Sequence, residues 1–106
     1  MNLAVWFVFI AAALLEVAGD SVIRRGLRGH SAVWVLSGCV MLGLYGVMVN
    51  SVKWDFSKLL GVYVGFFAAV SILFGRFALR ENIPASTWCG LALIVLGGLV
   101  IQFGRS

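Results

Sequence analysis

Four long apolar stretches, separated by short polar segments, dominate the pattern of this 106-residue chain. The stretches have 17 to 21 residues each and run over residues 3–23, 31–50, 59–75 and 85–104. Helices of that length cross a hydrocarbon core about 30 Å thick. Continuous apolar runs favour helices over barrel strands, in which apolar and polar residues alternate. The pattern predicts an all-α membrane protein with four transmembrane helices in one domain, residues 1–106.

The composition supports a membrane protein, because 62% of the residues are hydrophobic and only 11% are charged. A soluble domain is only about half apolar. The first stretch has no basic segment before it and is too long for the apolar part of a signal peptide, so it is interpreted as a transmembrane helix. Cys39 and Cys89 stand apart without clustered histidines, which predicts small buried hydrophobes and neither a metal site nor a cofactor.

The net charge of +4 comes from basic residues that flank or join the apolar stretches. Such residues set topology and contact lipid headgroups. The first and third connectors share one side of the membrane and carry five of them, Arg24, Arg25, Arg28, Arg76 and Arg80. The other side carries Lys53, Lys58 and Arg105. Five against three favours an inside position for the first and third connectors, and the small difference leaves insertion in both orientations open.

Glu16 is the most informative residue, since it lies inside the first apolar stretch. An acid at the centre of a membrane helix costs about 2.5 to 3.5 kcal/mol, so it usually faces a cavity and marks a transport or proton path. A carboxylate in such a place binds either a proton or a cation. This competition is the simplest physical basis of a proton-coupled exchanger.

The helix face around Glu16 is small and apolar apart from Asp20. Residues at helical spacing from Glu16 are Phe9, Ala12, Ala13, Gly19, Asp20 and Ile23, which predicts room for a guest beside the acid. Asp20 has two interpretations. It can form an interfacial ion pair with Arg24 one turn on, or it can be a second contact for a substrate with two positive charges.

Two tyrosines and four glycines complete the candidate residues. Tyr63 and Tyr45 lie in membrane stretches, where an aromatic face can bind an organic cation or simply pack in the core. Gly61 and Gly65, and likewise Gly90 and Gly97, are spaced so that each pair shares a helix face that another helix can approach closely. We expect a packing role for these faces, either within the chain or between chains.

Three features of the chain resemble the small multidrug resistance (SMR) transporter family. They are the segment Leu-Glu-Val-Ala-Gly around Glu16, Arg24 eight residues after Glu16, and Trp34 at the start of the second helix. The likeness extends to Tyr63-Val64-Gly65 in the third helix and to Gly90 and Gly97 after Pro84. Asp20 and the segment before Tyr63 differ from the usual pattern. Those differences are typical of a divergent branch of the wider drug/metabolite transporter superfamily.

The resemblance implies an antiparallel, dual-topology dimer of eight helices in the bacterial inner membrane. Both copies of Glu16 would bind protons or substrate in a shared chamber that Tyr63 lines, and the face of Gly90 and Gly97 would form the dimer contact. Gly19 is similar to the drug-exporting branch, because the guanidinium-exporting branch tends to have a tryptophan there.

The leading hypothesis is a proton-coupled antiporter that exports small organic cations, quaternary ammonium or polyamine-like, by alternating access. Its site residues would be Glu16, Tyr63, Ala12, Ala13, Gly19, Asp20 and Tyr45. One alternative is a subunit of a heteromeric transporter or lipid-linked sugar flippase, whose partner would be a related small protein. The other is a non-transporting membrane assembly protein. We expect no enzyme and no nucleic-acid partner, because the sequence has no nucleophile and base pair or phosphate-binding loop.

Overall fold

The computed structural model describes residues 3–104, and that part of the chain forms four α-helices. Each is long and apolar enough to cross a membrane. The helices are α1 (Leu3–Arg28), α2 (Ala32–Asn50), α3 (Phe56–Phe77) and α4 (Ala85–Phe103). The prediction of an all-helical protein with four candidate membrane spans is confirmed. Arg105, which entered the charge comparison, lies outside the described residues.

The helices α1 and α3 are longer than the apolar stretches that predicted them. The helix α1 continues past Ile23 to Arg28, and α3 begins at Phe56 rather than Leu59. Arginine and lysine are good helix formers, and their long side chains reach the interface while the backbone stays helical. Charged residues therefore end the apolar stretch without ending the helix.

The first compact unit lies within Met1–Val52 and is the hairpin of α1 and α2. Glycines hold these two helices close together. A methyl group placed on Gly38 would lie 2.7 Å from the Gly19 carbonyl oxygen and 3.0 Å from the Ile23 amide nitrogen. One placed on Gly26 would lie 2.8 Å from the Val35 amide nitrogen. Such distances are too short for any side chain, so the two backbones are in direct contact.

The turn of the first hairpin is short and fully capped. The Ser31 hydroxyl accepts a hydrogen bond from the Trp34 amide, as N-cap residues do. The Ser31 amide in turn donates to the Gly26 carbonyl at 2.8 Å, which closes the end of α1. His30 completes the turn with a φ of 55°, in the left-handed region that usually favours glycine.

The second compact unit lies within Lys53–Ser106 and is the hairpin of α3 and α4. Here a methyl group on Gly61 would meet only the end of the Ile101 side chain, and one on Gly98 would be 3.9 Å from backbone oxygens of α3. Pro84 is the N-cap of α4. Arg80, with a φ of 56°, lies in the connector as His30 does in the first.

Apolar side chains cover the outer faces of α2 and α4. Exposed examples are Leu36, Val40, Leu44 and Val47 on α2 and Leu93, Leu96, Val100 and Phe103 on α4. Cys39 and Cys89 are exposed too, so the prediction that they are buried is wrong for the single chain. The physical reason is that an apolar membrane helix carries small hydrophobes on its lipid-facing side as readily as on its packed side.

Candidate functional site

The candidate site is built on the middle of α1. Glu16 is the fourteenth of the 26 residues of this helix, which places it near the midpoint of a candidate membrane span. Its side chain is half-buried, whereas Asp20, one turn toward the end of the helix, is exposed. The two carboxylates are four residues apart and thus share one face of α1.

The packing of α2 on α1 brings Tyr45 to the same place. Gly38 of α2 touches Ile23 of α1, and the two helices run in opposite directions. Seven residues, or about 10 Å by helix rise, separate Ile23 from Glu16 and Gly38 from Tyr45. Tyr45 is half-buried, and its phenol lies within electrostatic reach of the Glu16 and Asp20 carboxylates.

Four predicted neighbours of Glu16 are covered by protein in the structure. Phe9, Ala12 and Ala13 are fully buried, and Gly19 is buried against the Gly38 carbonyl and Leu42 of α2. The space expected beside Gly19 is therefore occupied by α2. The role of Ala12, Ala13 and Gly19 as substrate-lining residues remains a prediction.

Asp20 does not form the helical ion pair with Arg24 that its spacing allowed. Within residues 3–104, neither side chain makes an ion pair. Arg25, the next residue, instead places its guanidinium carbon 5.5 Å from the centre of the Trp34 ring. Of the two interpretations of Asp20, the one that keeps its carboxylate available for a cation agrees better with this arrangement.

The remaining predicted residues lie in the second hairpin. Tyr63 is 3% exposed and forms the buried part of α3 with Leu59 and Val62. A methyl group on Gly90 or Gly97 of α4 would have no neighbouring atom within 4 Å, so this glycine face is open in the single chain. The sequence predicted a contact surface there, and the structure leaves it available for one.

Two features of the hairpins were not predicted. Gly38 and Leu42 are the residues of α2 that enclose Gly19, and the only sequence signal was a glycine at mid-helix. The second hairpin has a cavity of about 390 Å³ lined by Asp55, Ser57, Lys58, Ile101, Gln102 and Gly104. Beside it the Lys58 ammonium lies 4.5 Å from the centre of the Trp54 ring, a cation–π contact suited to the membrane interface.

The comparison with family models gives one match over residues 3–106, to the family described as "Uncharacterised BCR, YnfA/UPF0060 family". The chain belongs to the YnfA/UPF0060 family. Nearly the whole chain is covered, so the membership applies to both hairpins. The resemblance to SMR transporters is a separate matter and stays a prediction.

Relatives in this family come from several bacteria, and each is called a UPF0060 membrane protein. The one from Pseudomonas aeruginosa strain LESB58 is 35% identical over 101 residues, covering 93% of each chain. The one from Rhodococcus erythropolis is 38% identical over 99 residues, covering 92% of each. The one from Mycolicibacterium gilvum is 32% identical over 99 residues, covering 90% of each. No solved structure gives a significant match.

These names and the four apolar helices identify a multi-pass bacterial membrane protein. The predicted localisation in a bacterial membrane is confirmed. The family description and the names of the relatives specify no substrate.

Proposed function

We propose that this member of the YnfA/UPF0060 family is a transporter that exports small organic cations in exchange for protons. The observation that carries the proposal is Glu16, a carboxylate near the midpoint of a membrane-spanning helix. An acid there costs about 2.5 to 3.5 kcal/mol, and such residues usually face the bundle interior or a water-filled cavity on a substrate or proton path.

Proton and cation compete for Glu16, and this competition couples their movement. When the carboxylate holds a proton it is neutral and does not attract a cation. When a cation arrives from the cytoplasm, the proton leaves, and the reverse exchange on the other side resets the site. Alternating access of the site to the two sides of the membrane then links cation export to proton entry.

Asp20 and Tyr45 give this site a preference for extended cations with two charges. The carboxylates of Glu16 and Asp20 are one helical turn apart, roughly 6 Å along the axis by helix rise. Tyr45 lies within electrostatic reach of both, and its ring can contribute a cation–π contact. A linear diamine or polyamine can pair one ammonium with each carboxylate, whereas a quaternary ammonium ion can use only one.

An antiparallel dimer is the working assembly in this proposal. Four short helices give a single chain few elements with which to enclose a chamber. The open face of Gly90 and Gly97 on α4 allows a second helix to approach closely, as small residues do in membranes. The dimer would bring two copies of Glu16 together. The resemblance to SMR transporters also implies that Tyr63 lines the shared chamber, although this side chain is only 3% exposed in the single chain.

The test is coupled transport by the purified protein in liposomes with an internal pH dye. We expect an imposed cation gradient to drive proton movement in the opposite direction. The Glu16→Gln variant should lose this coupling completely, because the amide cannot exchange a proton. Glu81→Gln is the matched control, since Glu81 is exposed in the connector between α3 and α4 and should leave transport intact. Coupled transport by Glu16→Gln would refute the proposal.

Substrate charge is tested separately by comparing a linear diamine with tetramethylammonium. Asp20→Asn should raise the KM for the diamine about tenfold, which corresponds to a loss of about 1.4 kcal/mol of binding free energy for one contact. The KM for tetramethylammonium should stay within about twofold of the wild-type value. Tyr45→Phe, which keeps the ring, should have a smaller effect on both. Equal effects of Asp20→Asn on the two cations would exclude the two-charge preference but leave proton coupling standing.

A further inference from the structure

The last turn of α1 carries a dense cluster of positive charge. Arg24, Arg25 and Arg28 are all exposed, and no acidic residue occurs between Asp20 and Asp55. Residues at spacings of three and four are neighbours on a helix, and like charges there repel one another. None of the three arginines forms an ion pair within residues 3–104. The cluster therefore has no ion-pair partner in the described part of its own chain.

The arginines are mounted on a rigid part of the hairpin. They belong to α1 itself rather than to a loop, and only residues 29–31 separate α1 from α2. The Gly29 amide donates to the Arg25 carbonyl at 2.9 Å, and the Ser31 amide donates to the Gly26 carbonyl. Gly26 also packs directly against Trp34 and Val35. An anion that binds this turn therefore meets arginines whose backbone positions are already fixed.

The surroundings of the cluster match the boundary between headgroups and hydrocarbon. Trp34, with its ring 5.5 Å from the Arg25 guanidinium, is 43% exposed, and Leu27 and Val33 are more exposed still. Tryptophan with neighbouring aliphatic side chains is typical of the membrane interface. Arg24 to Arg28 covers about 6 Å along the helix axis, close to the roughly 5 to 7 Å depth of one headgroup layer.

We infer that the end of the first hairpin, formed by Arg24, Arg25, Arg28 and Trp34, is a docking surface for the phosphate of an anionic membrane lipid. The guanidinium groups supply charge and paired donors for phosphate oxygens. Trp34 and Leu27 contact the upper part of the acyl chains. The other described connectors do not have this charge, because Lys53 and Lys58 are accompanied by Asp55, and Arg76 and Arg80 by Glu81.

The experiment measures lipid binding to the intact purified chain by native mass spectrometry. Phosphatidylglycerol is compared with phosphatidylcholine of the same acyl chains. We expect the wild type to bind phosphatidylglycerol at least tenfold more tightly, based on roughly fivefold for each basic residue near the headgroups. The R24Q/R25Q/R28Q variant should lose this preference. The K53Q/K58Q variant, which removes charge elsewhere, should keep it.

Further variants keep the test decisive if the triple substitution disturbs folding, which far-UV circular dichroism would reveal. R24K/R25K/R28K retains the charge and should retain most of the preference, and R28Q alone should weaken phosphatidylglycerol binding about fivefold. The inference is overturned if the wild type has no preference or if K53Q/K58Q loses as much as R24Q/R25Q/R28Q. It is overturned too if soluble glycerol 3-phosphate displaces the lipid at equal concentration, since the site would then bind free phosphate.

Discussion

The two hairpins of this protein hold their helix pairs together in different ways. In the first, Gly38 and Gly19 bring the backbones of α1 and α2 into direct contact, and Gly26 does the same near the turn. In the second, Gly61 lies under the flexible end of Ile101, and Gly98 keeps an ordinary contact distance from α3. The hairpin that carries Glu16 is therefore closed by direct backbone contact, whereas the other has the Ile101 side chain between its helices at Gly61.

This difference affects the geometry of the proposed site. A carboxylate and a phenol on two helices keep their separation only if the helices cannot slide past each other. The glycine contacts of the first hairpin fix Glu16 and Tyr45 relative to one another. In the second hairpin a methyl group on Gly90 or Gly97 would have no neighbouring atom within 4 Å, so the same residue type there leaves a surface open.

The largest effect is expected at Gly38. Valine at this position would clash with the Gly19 carbonyl and the Ile23 amide, which are backbone atoms. The hairpin can accommodate the clash only by separating, so Gly38→Val should lower the free energy of unfolding by about 3 kcal/mol. Thermal or denaturant unfolding in detergent micelles measures it. Gly43→Val in the same helix is the control, because Gly43 has open space around it. Equal destabilisation by both variants would contradict the backbone contact.

Gly26 and Gly75 provide a direct comparison of the hairpins, since each lies two residues before the end of its helix. A methyl group on Gly26 would be 2.8 Å from the Val35 backbone, whereas on Gly75 it would meet only the carboxylate of Glu81. Gly26→Ala should destabilise the protein by about 2 kcal/mol. Gly75→Ala should be neutral or slightly stabilising, because alanine favours the helix by up to about 1 kcal/mol and Glu81 can turn away. The same unfolding measurement checks both, and a reversed order would show that the second turn is the more rigid one.

Gly97→Val tests whether the open face of the second hairpin is used. The single chain has room for the new side chain, so the helix content and the unfolding temperature should stay close to the wild type. If two copies meet at this face, the variant should have an association constant about tenfold lower, which corresponds to about 1.4 kcal/mol of binding free energy. Energy transfer between differently labelled copies in vesicles measures the association. Gly43→Val is again the control, and the same association constant for both variants would exclude Gly97 from the dimer contact.

The smallest effect is expected where the hairpins are alike. His30 and Arg80 both have a φ near 55°, which costs a residue with a side chain about 1 kcal/mol. Glycine removes that strain, but it also gives the unfolded chain more conformational entropy. This entropy destabilises the folded protein by about 0.4 to 1 kcal/mol. His30→Gly and Arg80→Gly should therefore each stabilise the protein by no more than about 0.5 kcal/mol. Unfolding midpoints that differ strongly between the two variants would mean that the turns are not equivalent.

The sequence predicted the helices better than their ends. Four apolar runs determine four membrane helices because the bilayer sets both length and composition. The end of α1 at Arg28 was missed, because hydropathy stops at Ile23 while the backbone hydrogen bonds continue. The last turn of α1 is closed by a hydrogen bond from the Ser31 amide to the Gly26 carbonyl, and a hydropathy pattern does not contain such a bond.

For the candidate site, the sequence identified the acids by type but not their surroundings. Glu16 and Asp20 are conspicuous as charges in or beside an apolar run. That Tyr45 joins them follows from the register of α2 on α1, which Gly38 and Ile23 determine by contact. A single sequence gives no information on which residues of two helices meet. For the same reason, the sequence pattern predicted open space beside Gly19.

The charged turn at the end of α1 also acts as a marker of orientation. Because Arg24, Arg25 and Arg28 are part of the helix, the positive pole of the first hairpin cannot be moved to the other surface without reversing the whole hairpin. A population inserted in both directions would therefore present this pole to both leaflets. The ratio of the two orientations would then respond to how a cell distributes acidic lipids between its leaflets. In the proposed antiparallel dimer, this ratio would set how many pairs are able to form.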